Sequence, residues 1–201
     1  IDQLMSALRR QPIGLVFKRY AIIAVNLGDR MNKRVEVEIK GAEIEVPFHR
    51  LEHLFSGLTF VIRNCVEHGL ESMEERINLD KSLEGNIKIE ALLEEDELLI
   101  LITDDGRGID VKKIRDAAVG NELISVSQAG SYEDEDILKL MFTRGFSTKK
   151  DSQGTFGRGV GLNAVGSAVE ELGGSISIQT ALKKGTSLQI KIPLQSPEQA
   201  E

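Results

Sequence analysis

The sequence predicts an α/β domain, and three observations carry that prediction. Alternating or apolar-rich short runs at 34–39, 86–93, 98–103, 175–180 and 187–192 have strand periodicity. Longer stretches at 47–70, 111–119, 134–142 and 159–172 repeat their apolar residues at helical spacing. The 201 residues are 41% hydrophobic but only 4% aromatic, with no Trp, which is enough to bury a core built from Leu, Ile, Val and Ala.

Taken in order, residues 1–32 place Leu4, Leu8, Leu15, Val16, Ile22, Ile23 and Leu27 at helical spacing, and Pro12 interrupts them. This predicts a helical entry segment of two helices joined near Gln11-Pro12. The region around 28–33 is the expected linker. Strand 34–39 alternates Val35, Val37 and Ile39 with charged residues and stops at Lys40-Gly41. The long helix 47–70 carries a core stripe of Leu51, Leu54, Phe55, Leu58, Val61, Ile62 and Cys65. Runs 86–93 and 98–103 flank Glu94-Glu95-Asp96-Glu97 and predict a hairpin with a charged turn. Gly173-Gly174 closes the last helix, and Lys183-Lys184-Gly185 joins the final two strands. The polar tail 195–201 is expected to fray.

Charge and composition exclude several classes. A net charge of −7 opposes general nucleic-acid binding, which depends on Lys and Arg neutralising phosphates. No apolar run approaches the roughly 20 residues needed for a membrane span, and the first residues of this sequence lack the basic and apolar segments of a signal peptide. The single cysteine, Cys65, leaves no internal disulfide and too few thiolates for a cysteine-rich zinc site. A soluble domain in a reducing cytoplasm is the expectation. Because the sequence starts at Ile1, it reads as an excerpt or processed product.

Three segments carry candidate chemistry. On the long helix Phe60, Asn64 and His68 are spaced by four and share a face, with Glu67 beside them. An amide oxygen and an imidazole there suit a metal and a phosphate, although both residue types also serve as solvated or capping groups. Asp104-Asp105-Gly106-Arg107-Gly108 directly follows an apolar strand. A carboxylate can accept from an exocyclic amine, and glycine lets the backbone approach a flat ring, so an adenine pocket fits; so does an ordinary turn. The stretch 154–161 holds Gly157-Arg158-Gly159-Val160-Gly161 and leads into a helix, a pattern for cradling phosphates that ordinary flexible loops share. A dinucleotide fingerprint would need an apolar strand just before it, whereas Lys149-Lys150-Asp151-Ser152-Gln153 is polar.

The order of these segments is more restrictive than any one of them. The run 58–69, Leu-Thr-Phe-Val-Ile-Arg-Asn-Cys-Val-Glu-His-Gly, resembles the asparagine box of chemotaxis-type histidine kinases, within the GHKL class of ATP-binding domains. The run 104–110 resembles their first glycine box, Gly145-Phe146-Ser147-Thr148 their phenylalanine box, and 157–161 their second glycine box. Gly185-Thr186, before a strand ending in Pro193-Leu194, resembles the closing motif, and 8–20 is similar to the segment joining the family's dimerisation helix to its ATP-binding domain.

The resemblance implies a two-layer α/β sandwich of the GHKL (Bergerat) type over 33–194, with a mixed, largely antiparallel sheet covered by helices on one face. It also implies Mg-ATP as cofactor. Asp104 would take the adenine amino group, Gly106 and Gly108 would shape the base pocket, and Asn64 would ligate magnesium. Arg63, His68, Lys113 and Lys149 would lie near the phosphates. Ser147, Thr148, Gly157, Arg158, Gly159, Val160, Gly161 and Leu162 would contribute the lid and the start of its helix, and Thr186 would lie near the nucleotide. The γ-phosphoryl group would pass to a histidine outside this chain, on a phosphotransfer domain in the parent protein or in trans, with a response regulator downstream. A homodimer through a missing or partial dimerisation helix is a further expectation.

One departure bears on chemistry. Four residues before the asparagine the family usually has His, and related ATPases Glu, as proton acceptor; here the residue is Phe60. Glu67 and His68 are the remaining catalytic candidates, with His53 a further possibility, and an alternative reading is a nucleotide-dependent regulatory module derived from a kinase. Smaller departures are Glu67 for Asp, Arg144 for Pro, and Leu162-Asn163 for Met-Asp.

Overall fold

A computed structural model describes residues 10–146 and 161–194. Five strands form one sheet in the order β2-β4-β5-β7-β6: β2 (Arg34–Lys40), β4 (Glu84–Glu94), β5 (Glu97–Asp104), β6 (Ser175–Ala181) and β7 (Gly185–Pro193). β2 runs parallel to β4, and the other neighbours are antiparallel, so the sheet is mixed as expected. Period-2 burial decides which face is covered. Ile87, Ile89 and Ala91 on β4, Leu98, Ile100 and Ile102 on β5, and Leu188, Ile190 and Ile192 on β7 all enter the main core.

Helices α1 (Gly14–Arg30), α2 (Phe48–Asn64) and α7 (Leu162–Glu171) supply the opposing layer. Their apolar stripes face the sheet, and Gly57 of α2 lets α7 approach until an added Cβ would sit 3.1 Å from Val165 Cγ2. Between β5 and α7 lie α4 (Val111–Gly120), α5 (Val126–Ser131), α6 (Asp134–Lys139) and a 3-10 turn at Leu140–Phe142. These enclose a second, smaller cluster of Ile114, Ala118, Ile124, Ala129 and Ile137, into which Phe146 inserts. Arg115 stitches it together by donating to the carbonyls of Ala129 and Tyr132 and pairing with Asp134.

Several expectations are corrected. Gln11-Pro12 is not a helix junction: β1 (Arg10–Pro12) pairs antiparallel with β3 (Glu45–Pro47). The region 28–33, expected as a linker, is a tight hydrogen-bonded turn in which the Lys33 N–H donates to Gly28 O at 2.9 Å. An added Cβ on Gly28 would meet Val35 Cγ2 at 2.5 Å, so turn and strand are packed together. The apolar face of α1 packs on this domain: Val16, Phe17, Tyr20 and Ala24 enter the main core, and Tyr20 donates its hydroxyl to Phe55 O. Burial raises the Tyr20 pKa and keeps that donor protonated. The long helix stops being α-helical at Asn64, and Cys65–Gly69 forms a wider π-helical turn closed by Leu70 N–H to Cys65 O at 2.7 Å.

Candidate nucleotide site

The alternation that buries Leu98, Ile100 and Ile102 also turns Asp104, the next residue in phase, toward the helical layer. Its side chain therefore enters an apolar face, and Asp104 is 5% exposed. A buried carboxylate needs donors. Gly106 N–H supplies one to Oδ1 at 2.9 Å, and the buried Cys65 thiol beside the carboxylate also favours its charged form. These do not offset desolvation, and the neighbouring Asp105 and Glu71 charges add to it: the Asp104 pKa is pushed up to about 6.

Chain segments far apart in sequence meet at this carboxylate. Gly69, at the end of the π-turn, presents no side chain to it: an added Cβ would lie 3.2 Å from Asp104 Oδ2. Arg107 N–H donates to Gly69 O at 2.9 Å, tying the loop after β5 to the end of α2. From the other side Thr186 is the cross-strand partner of Asp104, and its hydroxyl is 3.1 Å from Thr180 Oγ1. Thr180 in turn accepts from Ile109 N–H and donates to Gly185 O. The glycines act by backbone packing. An added Cβ at Gly106 would fall 2.2 Å from Gly69 O, and one at Gly108, where φ is +70°, 2.2 Å from Ala181 O. They bring three loops together around the carboxylate, more than offering a flat surface themselves.

Asn64 is the last α-helical residue of α2 and is half-buried; His68 follows on the π-turn with its side chain 61% exposed. The wider turn changes the four-residue register assumed for Asn64 and His68, while both remain at the same end of the helix. Arg63 pairs with Glu67 at 3.0 Å, and Glu67 Oε2 lies 4.0 Å from His68 Nε2. Lys33, from the turn after α1, holds this end: its Nζ donates to the carbonyls of Val66 (2.7 Å), Glu67 (3.1 Å) and Leu70 (2.8 Å). Lys113 is exposed on α4 and pairs loosely with Asp110, the residue that caps α4.

Phe60, one turn before Asn64, is 38% exposed, and its ring lies against Gly161, where an added Cβ would be 3.0 Å from Cδ1. The end of the second glycine motif and the start of α7 at Leu162 are thus placed beside the Asn64 helix. Ser147, Thr148, Lys149, Gly157, Arg158, Gly159 and Val160 lie outside the described residues. His53 is exposed on α2, in a groove shared with Phe60, Ala164 and Glu171.

Sequence reasoning missed the group behind the loop. Arg76, 1% exposed, donates to both Asp105 oxygens at 3.0 and 2.7 Å and pairs with buried Glu71 at 3.1 Å. Lys81 donates to Glu71 at 2.7 Å and to the carbonyls of Asp105 and Gly106 at 2.7 and 2.8 Å. Arg76 belongs to α3 (Met73–Asn78), whose signal was present in Ser72 and Glu75, a reciprocal capping box.

The chain matches, over residues 53–196, the family described as histidine kinase-, DNA gyrase B- and HSP90-like ATPase. It is 35% identical over 186 residues to the sensor histidine kinase CheAY of Helicobacter pylori, covering 92% of this chain and 23% of that protein. It is 33% identical over 194 residues to the chemotaxis protein CheA of Bacillus subtilis, covering 96% and 29%. The chain therefore spans about a quarter of the length of these relatives. Among solved structures, the mycobacterial sensor histidine kinase MprB superposes with a TM-score of 0.55 at 18% identity, covering 92% of this chain and 96% of that one, a likeness of fold. The motifs, the mixed sheet under its helical layer and these relatives place the chain in the GHKL family of ATPase domains, among those of chemotaxis-type histidine kinases.

Proposed function

We propose that this domain binds Mg-ATP and directs its γ-phosphoryl group to a histidine on a phosphotransfer domain, in the parent protein or in trans. The observation that carries the reading is the buried Asp104 carboxylate facing side-chain-free Gly69, at the place where the asparagine-bearing helix, the loop after β5 and the β6–β7 hairpin meet. An exocyclic amine is the complement of such an acceptor, and Thr186 stands next to it on the paired strand. Asn64 would give magnesium one amide oxygen, the remaining ligands being phosphate oxygens and water. Arg63, His68, Lys113 and Lys149 would supply positive charge, and Ser147, Thr148 and 157–162 the lid. In phosphoryl transfer the protein mostly positions groups and stabilises charge, so these contacts carry more of the catalysis than a covalent step would. The parent would be cytoplasmic, with a response regulator downstream and dimerisation through sequence preceding α1.

Phe60 supports a second reading. Its ring can neither accept nor relay a proton, and a general base contributes about 10²–10⁴-fold. A domain that binds ATP, closes its lid and regulates a partner without rapid turnover would keep every other feature. Glu67, held by Arg63 and near His68, is the candidate substitute base.

Full-length protein carrying this domain, incubated with Mg-ATP labelled on the γ-phosphate, separates the two. Kinase function predicts labelled histidine in the native protein and none in Asp104→Ala. ATP binding without label, with label appearing in Phe60→His, assigns the regulatory function instead. Absence of ATP binding would sink both.

A further inference from the structure

The charged group behind the loop after β5 is largely buried. Side chains of Arg76 and Glu71 are each 2% exposed and that of Lys81 16%. Ion pairs buried to this degree are weak contributors to stability, because desolvation consumes most of their attraction. What they supply here is direction. Arg76 grips both oxygens of Asp105, while Asn86 N–H donates to Oδ1 of the same carboxylate at 2.9 Å. Lys81 draws the carbonyls of Asp105 and Gly106 toward itself. With both carbonyls fixed, the peptide planes of 105–107 are fixed. The Gly106 N–H is therefore aimed back at Asp104 Oδ1 and the Arg107 N–H at Gly69 O.

We propose that Lys81 and Arg76, acting through Glu71, Asp105 and the peptide groups of 105–107, are positioning residues that set the Asp104 carboxylate for the amino group of adenine. This rests on the reading of Asp104 as the base-recognising acceptor. None of the four need touch the nucleotide. Their effect is on discrimination: they hold the acceptor in the plane that an exocyclic amine demands, and a ligand lacking the amine gains nothing from them.

The test is calorimetric titration of the chain with Mg-ATP and with the Mg complex of purine riboside triphosphate, which lacks the amino group. Lys81→Met should weaken ATP about tenfold, the scale of one charge-assisted hydrogen bond, and leave the analogue unchanged, with Lys81→Arg restoring the ATP preference. Because Lys81→Met leaves Glu71 with one cation fewer, the double variant Glu71→Gln/Lys81→Met keeps the buried charge balanced and should lose the same preference. If both nucleotides weaken equally, or neither weakens, the network is structural and the proposal is overturned. Asp104→Ala run alongside distinguishes the two failures. If it abolishes the ATP preference while Lys81→Met does not, only the positioning role falls; if it too leaves the preference intact, the base-recognition reading falls with it.

Discussion

Asp104 shows how one residue trades stability for an available acceptor. Its folded pKa of about 6 lies above the unfolded value, so between these pH values the folded chain holds a proton that the unfolded chain has released. Stability from this group is therefore greatest at low pH and falls as pH rises through the folded pKa, a loss on the order of 3 kcal/mol when complete. Asp104→Asn removes the ionisation. Its melting temperature without nucleotide should exceed the native one at pH 7.5, with the gain shrinking as pH approaches 4. Ligand binding runs the other way. Only the ionised carboxylate is acceptor at both oxygens, so ATP affinity measured between pH 5 and 8 should rise with a midpoint near 6 in the native protein. That ATP-specific rise should be absent in Asp104→Asn, once the phosphates' own titration is subtracted using the purine analogue.

At the scale of elements, the end of α2 depends on a residue far from it in sequence. The π-turn leaves the carbonyls of Val66, Glu67 and Leu70 facing one point, and the Lys33 ammonium satisfies all three. Lys33→Met should cost about 2–4 kcal/mol in denaturant unfolding, since the Val66 and Glu67 carbonyls lose their ammonium donor and Leu70 O keeps only the long contact from Arg107 Nη2 at 3.4 Å. This contact also marks where sequence reading reached its limit. The five main strands, α2 and α7 were legible because period-2 and helical patterns are local, and Asp104, Asn64 and Gly161 were legible because their motifs are contiguous. Lys33, Glu71, Arg76 and Lys81 carried no such mark: each looks like a surface charge until tertiary packing buries it. Two short helices were readable but missed. Ser72 with Glu75, and Ser125 with Gln128, form capping boxes that start α3 and α5. Ser72→Ala should cost about 1 kcal/mol, read in the same unfolding assay.

Across the whole molecule, two hydrophobic clusters of unequal size divide the work. The main one spans sheet, α1, α2 and α7; the smaller one gathers α4, α5 and α6 around Ile114, Ile137 and Phe146. Phe146, from the motif at 145–148, packs in the smaller cluster and is one of its buried members. A cluster this small has little apolar surface to lose before it opens. Regions with fewer buried contacts open at lower free energy than the global transition. Phe146→Ala should therefore destabilise locally, by about 3 kcal/mol or more for a buried ring. Hydrogen exchange followed by mass spectrometry should show amides of 111–142 exchanging faster, while β4, β5 and β7 keep their protection. If the strands lose protection to the same extent, the two clusters unfold as one cooperative unit, and the loss of Phe146 is felt as far as the Asp104 strand.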